Sequence, residues 1–193
     1  MKEMKVLGIS GSLRDQSNTL YYVKTALKVL EEEEIETELL SLRDKEIKPC
    51  TGCYDCQNQG FCTIPGDDFE EIFTRMREVE GLILGSPVYL SSVVPQMMAL
   101  LSRATFVSHW NGKFFNGKVG GPITVAQRAG HNLAFSQLLL WFFFNGLIVP
   151  GSIYWNVGVA GTRGARDAEN DLIGLEVVTT FARNLAGLMK KLF

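Results

Sequence analysis

Short, continuously apolar runs alternate along this chain with segments whose apolar residues recur every three or four positions, a pattern that predicts strands separated by helices. Lys5 to Ser10 reads as a strand buried on both faces, because Val6-Leu7-Gly8-Ile9 offers no polar side. Leu20, Val23, Leu27 and Leu30 then fall on one helical face, and Ile35 to Leu42 predicts a second strand. Asp67 with Glu70 marks the start of a helix through Ile72, Phe73, Met76 and Val79. Gly81 to Ser86 is a third buried strand, followed by a helix beginning near Pro95, and Lys118 to Ala126 is a fourth. An aromatic-rich helix through Leu138, Trp141 and Phe144, a fifth strand over Ile148 to Tyr154, and a helix carrying Leu175, Val178, Phe181, Leu185, Leu188 and Leu192 complete the pattern. Five buried strands alternating with helices imply an α/β fold, a doubly wound parallel sheet with right-handed crossovers.

The length of 193 residues suits one domain spanning 1–193, with a sizeable core that needs no covalent staples. A hydrophobic fraction of 46% against 21% charged gives a slightly apolar tilt that an oligomer would absorb, and the aromatic helix from Trp141 to Phe144 points the same way. Burial of those rings in the core is the alternative. A net charge of −2 and a pI near 5.8 offer no general attraction to nucleic acid or to an acidic membrane surface. The N-terminal stretch shows no signal-peptide pattern, and the longest apolar run, Leu138 to Phe144, is far below the roughly 18 residues of a membrane span. A soluble, cytoplasmic protein is the expectation.

In a sheet of this kind, ligands bind outside the carboxyl ends of the strands. Three loops fall there. The first, Ser10 to Thr19, lies between a strand end and a helix N-terminus, where unpaired N–H groups and the helix dipole favour an anion. Ser10, Ser12, Ser17 and Thr19 add hydroxyls, Asn18 an amide and Arg14 a guanidinium. Neither a Gly-Lys-Ser/Thr nor a G-x-G-x-x-G pattern is present, so one terminal phosphate fits better than a triphosphate or a dinucleotide. A capped turn, with Ser17 or Asn18 satisfying helix N–H groups, is the simpler reading of the same residues. The second loop, Pro87-Val88-Tyr89-Leu90-Ser91, places Tyr89 where it could cover a planar ligand or only pack on the sheet end; the third is Arg128-Ala129-Gly130.

All four cysteines lie in one long loop, 43–66, at Cys50, Cys53, Cys56 and Cys62, spaced C-x2-C-x2-C-x5-C. Loops this long inside a domain are usually functional. The spacing is compact enough for one metal centre, and thiolates are the ligands that iron–sulfur clusters and soft metals select. A [4Fe–4S] cluster suits a close triplet plus a fourth thiolate; structural zinc usually takes two separated C-x2-C pairs, and only one triplet exists here. Free or disulfide-bonded cysteines are the third reading.

Taken together, Gly-Ser-Leu-Arg with Ser17-Asn18-Thr19, Gly85-Ser86-Pro87-Val88-Tyr89 and Asn145 to Ser152 resemble the flavodoxin-like family of NAD(P)H-dependent FMN reductases, and the cysteine motif resembles its iron–sulfur flavoprotein subgroup. The resemblance covers nearly the whole chain and implies a five-stranded sheet of order 2-1-3-4-5. It implies FMN held at the phosphate by Ser10, Ser12, Leu13, Arg14, Ser17, Asn18 and Thr19, and bordered at its ring by Pro87, Val88, Tyr89, Leu90, Ser91, Arg128, Ala129 and Gly130. Cys50, Cys53, Cys56 and Cys62 would hold a [4Fe–4S] cluster. The implied activity is flavin-dependent electron transfer, without a dedicated catalytic side chain. The donor would be ferredoxin-type or NAD(P)H, the acceptor a small molecule, and the assembly a homodimer or homotetramer with flavin and cysteine loop near a subunit boundary. A cluster-free NAD(P)H-dependent FMN or quinone reductase is the alternative. Many relatives have Arg-His-Gly-Gly after the fourth strand where this chain has Arg128-Ala129-Gly130-His131, which leaves His131 between a flavin contact and a capping or packing role. His109 has no motif support.

Overall fold

A computed structural model of the chain describes residues 4–193; the first three residues of the N-terminal stretch read for a leader lie outside the described residues. Strands β1 (Lys5–Ser10), β2 (Glu36–Ser41), β3 (Gly81–Pro87), β4 (Val119–Ala126) and β5 (Val157–Val159) form one parallel sheet in the order β2-β1-β3-β4-β5. The helices are α1 (Asn18–Glu32), α2 (Asp55–Gln59), α3 (Phe69–Glu78), α4 (Pro95–Trp110), α5 (His131–Phe144) and α6 (Leu172–Leu192). They cover both faces. Leu7, Leu82 and Leu84 turn into one core with α3, α4 and α5; Val6, Ile83 and Ile123 turn into the other with α1 and α6. Double burial is why the central strands read as unbroken apolar runs.

Helix α1 lies close on the sheet. A Cβ on Gly8 would stand 2.8 Å from Val23 Cγ1, and one on Gly85 would overlap the same valine, so only glycine permits this approach. The close approach sets the N-terminus of α1 directly beyond the ends of β1 and β3.

The fifth strand differs from the sequence expectation of Ile148 to Tyr154. Ile148 makes only an isolated bridge to Val119, and the pairing with β4 is made instead by Val157–Val159 against Thr124, Val125 and Ala126. Pro150 has no N–H to give a ladder, and the chain leaves the sheet there. The true strand is short and contains Gly158, where any Cβ would overlap the Tyr22 ring. Asp68 occupies the N-cap position of α3 without a side-chain cap bond, and Asp67 does the capping from one residue earlier, its Oδ1 accepting from the Phe69 N–H at 3.3 Å; the same carboxylate also accepts from Arg103 and from the Lys48 N–H. By length and composition α6 could cross a membrane, yet Val178, Phe181, Leu185 and Met189 along it are fully buried against the sheet and α1.

Candidate functional site

At the carboxyl edge of the sheet the loops after β1, β3, β4 and β5 enclose a cleft of about 270 Å³. Ser12, Arg14, Ser17, Asn18 and Thr19 line one side, Pro87, Val88 and Tyr89 the other. No carboxylate is among the lining residues, so nothing there repels an anion. Ser17 caps α1, its Oγ accepting from the Leu20 N–H at 3.1 Å, as the simpler reading of the loop expected. Its hydroxyl proton remains to donate, since a hydroxyl carries one donor beside two acceptor positions. Ser12 Oγ is in the same condition, accepting from the Arg14 N–H at 3.3 Å. Ser10 Oγ, buried at the strand end, has no hydrogen-bond partner among the described residues. Free donors at a helix N-terminus, an unpaired hydroxyl and no negative charge suit a phosphate.

Two of the candidate phosphate ligands are otherwise engaged. Asn18 donates from Nδ2 to the Ala165 carbonyl at 2.9 Å and accepts at Oδ1 from the N–H groups of Asp167 and Ala168. Arg14 donates from Nη2 to the Gly164 carbonyl at 2.6 Å. Both fasten the segment after β5 over the cleft, and Gln127, Ala160 and Gly161 join its lining. With the fifth strand placed at Ile148 to Tyr154 by the sequence pattern, this segment falls outside the expected loops, and the Gly161-Thr162-Arg163-Gly164 run is the local signal of its turn.

The loop after β3 turns sharply: Tyr89 and Ser92 exchange both backbone hydrogen bonds at 3.0 Å, which forces Leu90 to φ 50° and Ser91 to φ 63°. Left-handed backbone at a leucine is strained and gathers at binding sites. Leu90 is fully exposed at the tip, and Tyr89 is half exposed at the cleft. Arg128 and Ala129 are exposed beside Gly130 and do not line the cleft as it stands; Gly130 packs beneath the turn, where a Cβ would meet Ser91 Oγ at 2.8 Å. The His131 ring sits within 3.0 Å of the Gly158 carbonyl through Nε2, a contact joining α5 to β5. His109 packs between the Trp110 and Phe144 rings.

The cysteine loop leaves the same edge, and the Arg43–Asp15 ion pair at 3.0 Å ties its start to the phosphate loop. Its cysteines, however, come to rest along α4. Cys50, Cys53, Cys56 and Cys62 line one small cavity whose other walls include Arg103, Phe106 and Val107. Cys56 is carried by α2, a turn and a half of helix that no local pattern announces. Tyr54, in left-handed backbone, stands edge-on to Phe106 at 5.6 Å, and Asn111 donates from Nδ2 to the Cys56 carbonyl at 2.9 Å. Arg103, Phe106, Val107 and Asn111 are spaced as one helical face. Arg103 stands eight residues into α4, roughly 12 Å of helix axis beyond its start at the sheet edge.

All four cysteines are free. Among the described residues no three His, Cys, Asp or Glu side chains already stand in a metal-binding geometry. The donor set nonetheless fits a soft metal centre: four thiols face one cavity and no carboxylate competes. Burial pushes the Cys56 thiol up from its ordinary value, and the proximity of Cys62, Cys53 and Cys50 adds to it. Cationic iron would reverse both effects, because a metal deprotonates the thiols that ligate it.

Arg103 is 1% exposed and Asp67 3% at their side chains, and the two form a buried ion pair. Burial would raise the Asp67 carboxyl, but hydrogen bonds from the Arg103 guanidinium and the Lys48 and Phe69 N–H groups outweigh it and hold the group below the usual carboxylate range. Removing one partner of such a pair typically costs about 3–5 kcal/mol, because the other is left buried and unpaired.

The family model for NADPH-dependent FMN reductases matches residues 4–162. An iron–sulfur flavoprotein of Methanocaldococcus jannaschii is 39% identical over 97% of this chain and 98% of its own length, and one of Methanosarcina thermophila is 31% identical over 97% and 96%. A crystal structure of RosB with bound 8-demethyl-8-formylriboflavin-5′-phosphate superposes with a TM-score of 0.80 at 23% identity, over 98% of this chain and 80% of RosB, and so shares the fold. With the parallel sheet in flavodoxin order, a phosphate-suited cleft at its carboxyl edge and near full-length identity to these relatives, the chain belongs to the NADPH-dependent FMN reductase family and, within it, to the iron–sulfur flavoproteins, which are flavin-dependent oxidoreductases.

Proposed function

We propose that residues 1–193 form one FMN-binding domain of a cytoplasmic electron-transfer oxidoreductase, in which Cys50, Cys53, Cys56 and Cys62 hold a [4Fe–4S] cluster and the cleft at the sheet edge holds FMN. The observation that carries this reading is the gathering of four free thiols in one cavity on α4, apart from a second, carboxylate-free cleft suited to phosphate. FMN exchanges one or two electrons and an iron–sulfur cluster one, so the pair links donors and acceptors of different electron number. The chain's part is to bind and orient. Ser10, Ser12, Ser17 and Thr19 hydroxyls donate to the phosphate, Arg14 supplies its counter-charge, and Pro87, Val88 and Tyr89 border the ring. A ferredoxin-type protein or NAD(P)H is the donor and a small molecule the acceptor. Anaerobically purified protein should carry FMN, about four iron atoms and as many sulfides per chain, with visible absorbance beyond the flavin bands. Full FMN with no iron would leave a cluster-free NAD(P)H-dependent FMN or quinone reductase.

The chain acts as a homodimer or homotetramer in this reading. The aromatic helix supports it by dividing its rings: Trp141 and Phe142 are buried, while Leu140, Phe143 and Phe144 are exposed, Phe143 lining one groove with the exposed Tyr154 and Trp155. An exposed apolar patch of that kind marks an interaction surface. The displacement of the cysteines down α4 adds a reason, since a second subunit can bring its flavin to the cluster across a boundary. Sedimentation at micromolar concentration is expected to give a dimer or tetramer; a monomer would remove this part of the proposal.

A further inference from the structure

Resting on the cluster reading above, we infer that Arg103 is a positioning residue for the thiolate centre: it holds the Cys62 ligand in place and raises the centre's reduction potential. Arg103 is among the largest fully buried side chains of the protein. Its guanidinium reaches both ends of the cysteine motif. Nη1 donates to the Lys48 carbonyl at 3.2 Å, two residues before Cys50, and Nη2 to the Ile64 carbonyl at 3.3 Å, two residues after Cys62. The Asp67 carboxylate takes further bonds from both Nη atoms, and the group stacks over the Phe69 ring at 4.0 Å from its centroid. What remains is Nε, and it donates to Cys62 Sγ at 3.2 Å.

Holding a loop shut does not by itself call for a buried arginine, because well-packed apolar groups serve as well or better than a buried ion pair. The bond to sulfur is what an apolar side chain could not supply. A donor on a ligand sulfur stabilises the extra negative charge of a reduced cluster, and such bonds tune iron–sulfur potentials. Asp67 acts in the opposite sense, since its carboxylate beside the guanidinium offsets part of that positive charge. The two residues therefore exert opposed effects on the centre while sharing one structural role. Lysine cannot replace this arrangement, because one ammonium cannot span Cys62, Asp67 and two carbonyls at once.

The test is a spectroelectrochemical titration of anaerobically purified protein bearing Arg103→Met, Arg103→Lys or Asp67→Asn, with iron content and FMN content measured alongside. Both Arg103 variants should move the cluster potential negative and Asp67→Asn should move it positive, each leaving the FMN potential in place. Arg103→Lys keeps a cation for Asp67 and so supplies the folded variant if Arg103→Met does not fold. A faster loss of iron from the Arg103 variants in air, with FMN retained, supports the hold on Cys62. Iron-replete variants whose cluster potentials do not move, or move in the same direction for Arg103→Lys and Asp67→Asn, overturn the inference. Wild-type protein without iron overturns the cluster reading instead, so the two failures are told apart.

Discussion

Cys56→Ala, made and purified without oxygen, is expected to retain FMN and the fold while its iron falls from about four atoms per chain to fewer than one. Cys56 is the most buried of the four thiols, and α2 holds it facing the other three. Among the described residues the side chain has no hydrogen-bond partner on another residue; the loop is held instead by Asn111 on the Cys56 carbonyl and by Arg103 on the Lys48 and Ile64 carbonyls, all to backbone that alanine keeps. Loss of one of four thiolates therefore removes a ligand without opening the loop. The FMN cleft shares no residue with the cysteine cavity, so FMN affinity should change by less than about twofold, a difference of about 0.4 kcal/mol. Iron and sulfide analysis, flavin absorbance and far-UV circular dichroism on the same sample check all three statements. One-electron reduction of the flavin by a ferredoxin-type donor should slow in step with iron loss. An iron content equal to wild type would exclude Cys56 as a ligand.

The double variant Ser12→Ala, Arg14→Ala should weaken FMN by roughly 30- to 150-fold, the equivalent of about 2–3 kcal/mol for losing hydrogen bonds to a charged group. Riboflavin, which lacks the phosphate, should weaken less than about threefold on the same scale. The comparison is needed because Arg14 also fastens the segment after β5 through the Gly164 carbonyl, and loosening that segment would affect both ligands alike. Flavin fluorescence titration of the deflavinated protein measures both constants. Equal losses for FMN and riboflavin would place the phosphate elsewhere.

Strand alternation is legible because it rests on local pattern: a strand buried on two faces has to be largely apolar, and β1, β3 and β4 are, whereas the order 2-1-3-4-5 comes from the family resemblance. The cysteine motif was legible because its spacing is local too. The loop Ser10 to Thr19 announced an anion site through its place between a strand and a helix, which needs no tertiary information. Sequence therefore determined which chemistry this chain carries and at which edge of the sheet the candidate cleft opens.

Long-range contacts decided the rest. Ile148 to Tyr154 is the longer apolar stretch, yet pairing with β4 is a matter of register across more than 30 residues, and the short segment with Gly158 is the one that clears Tyr22. Asn18 has the donors of a phosphate ligand; its bonds go to residues 147 to 150 positions away, a partner no local window contains. Asp67 reads locally as part of a helix start, and nothing in its own neighbourhood marks Arg103, in the middle of α4. Only when α4 is laid beside the cysteine loop do the two become a buried pair reaching Cys62, because the free energy of a buried charge depends on what surrounds it rather than on its place in the sequence.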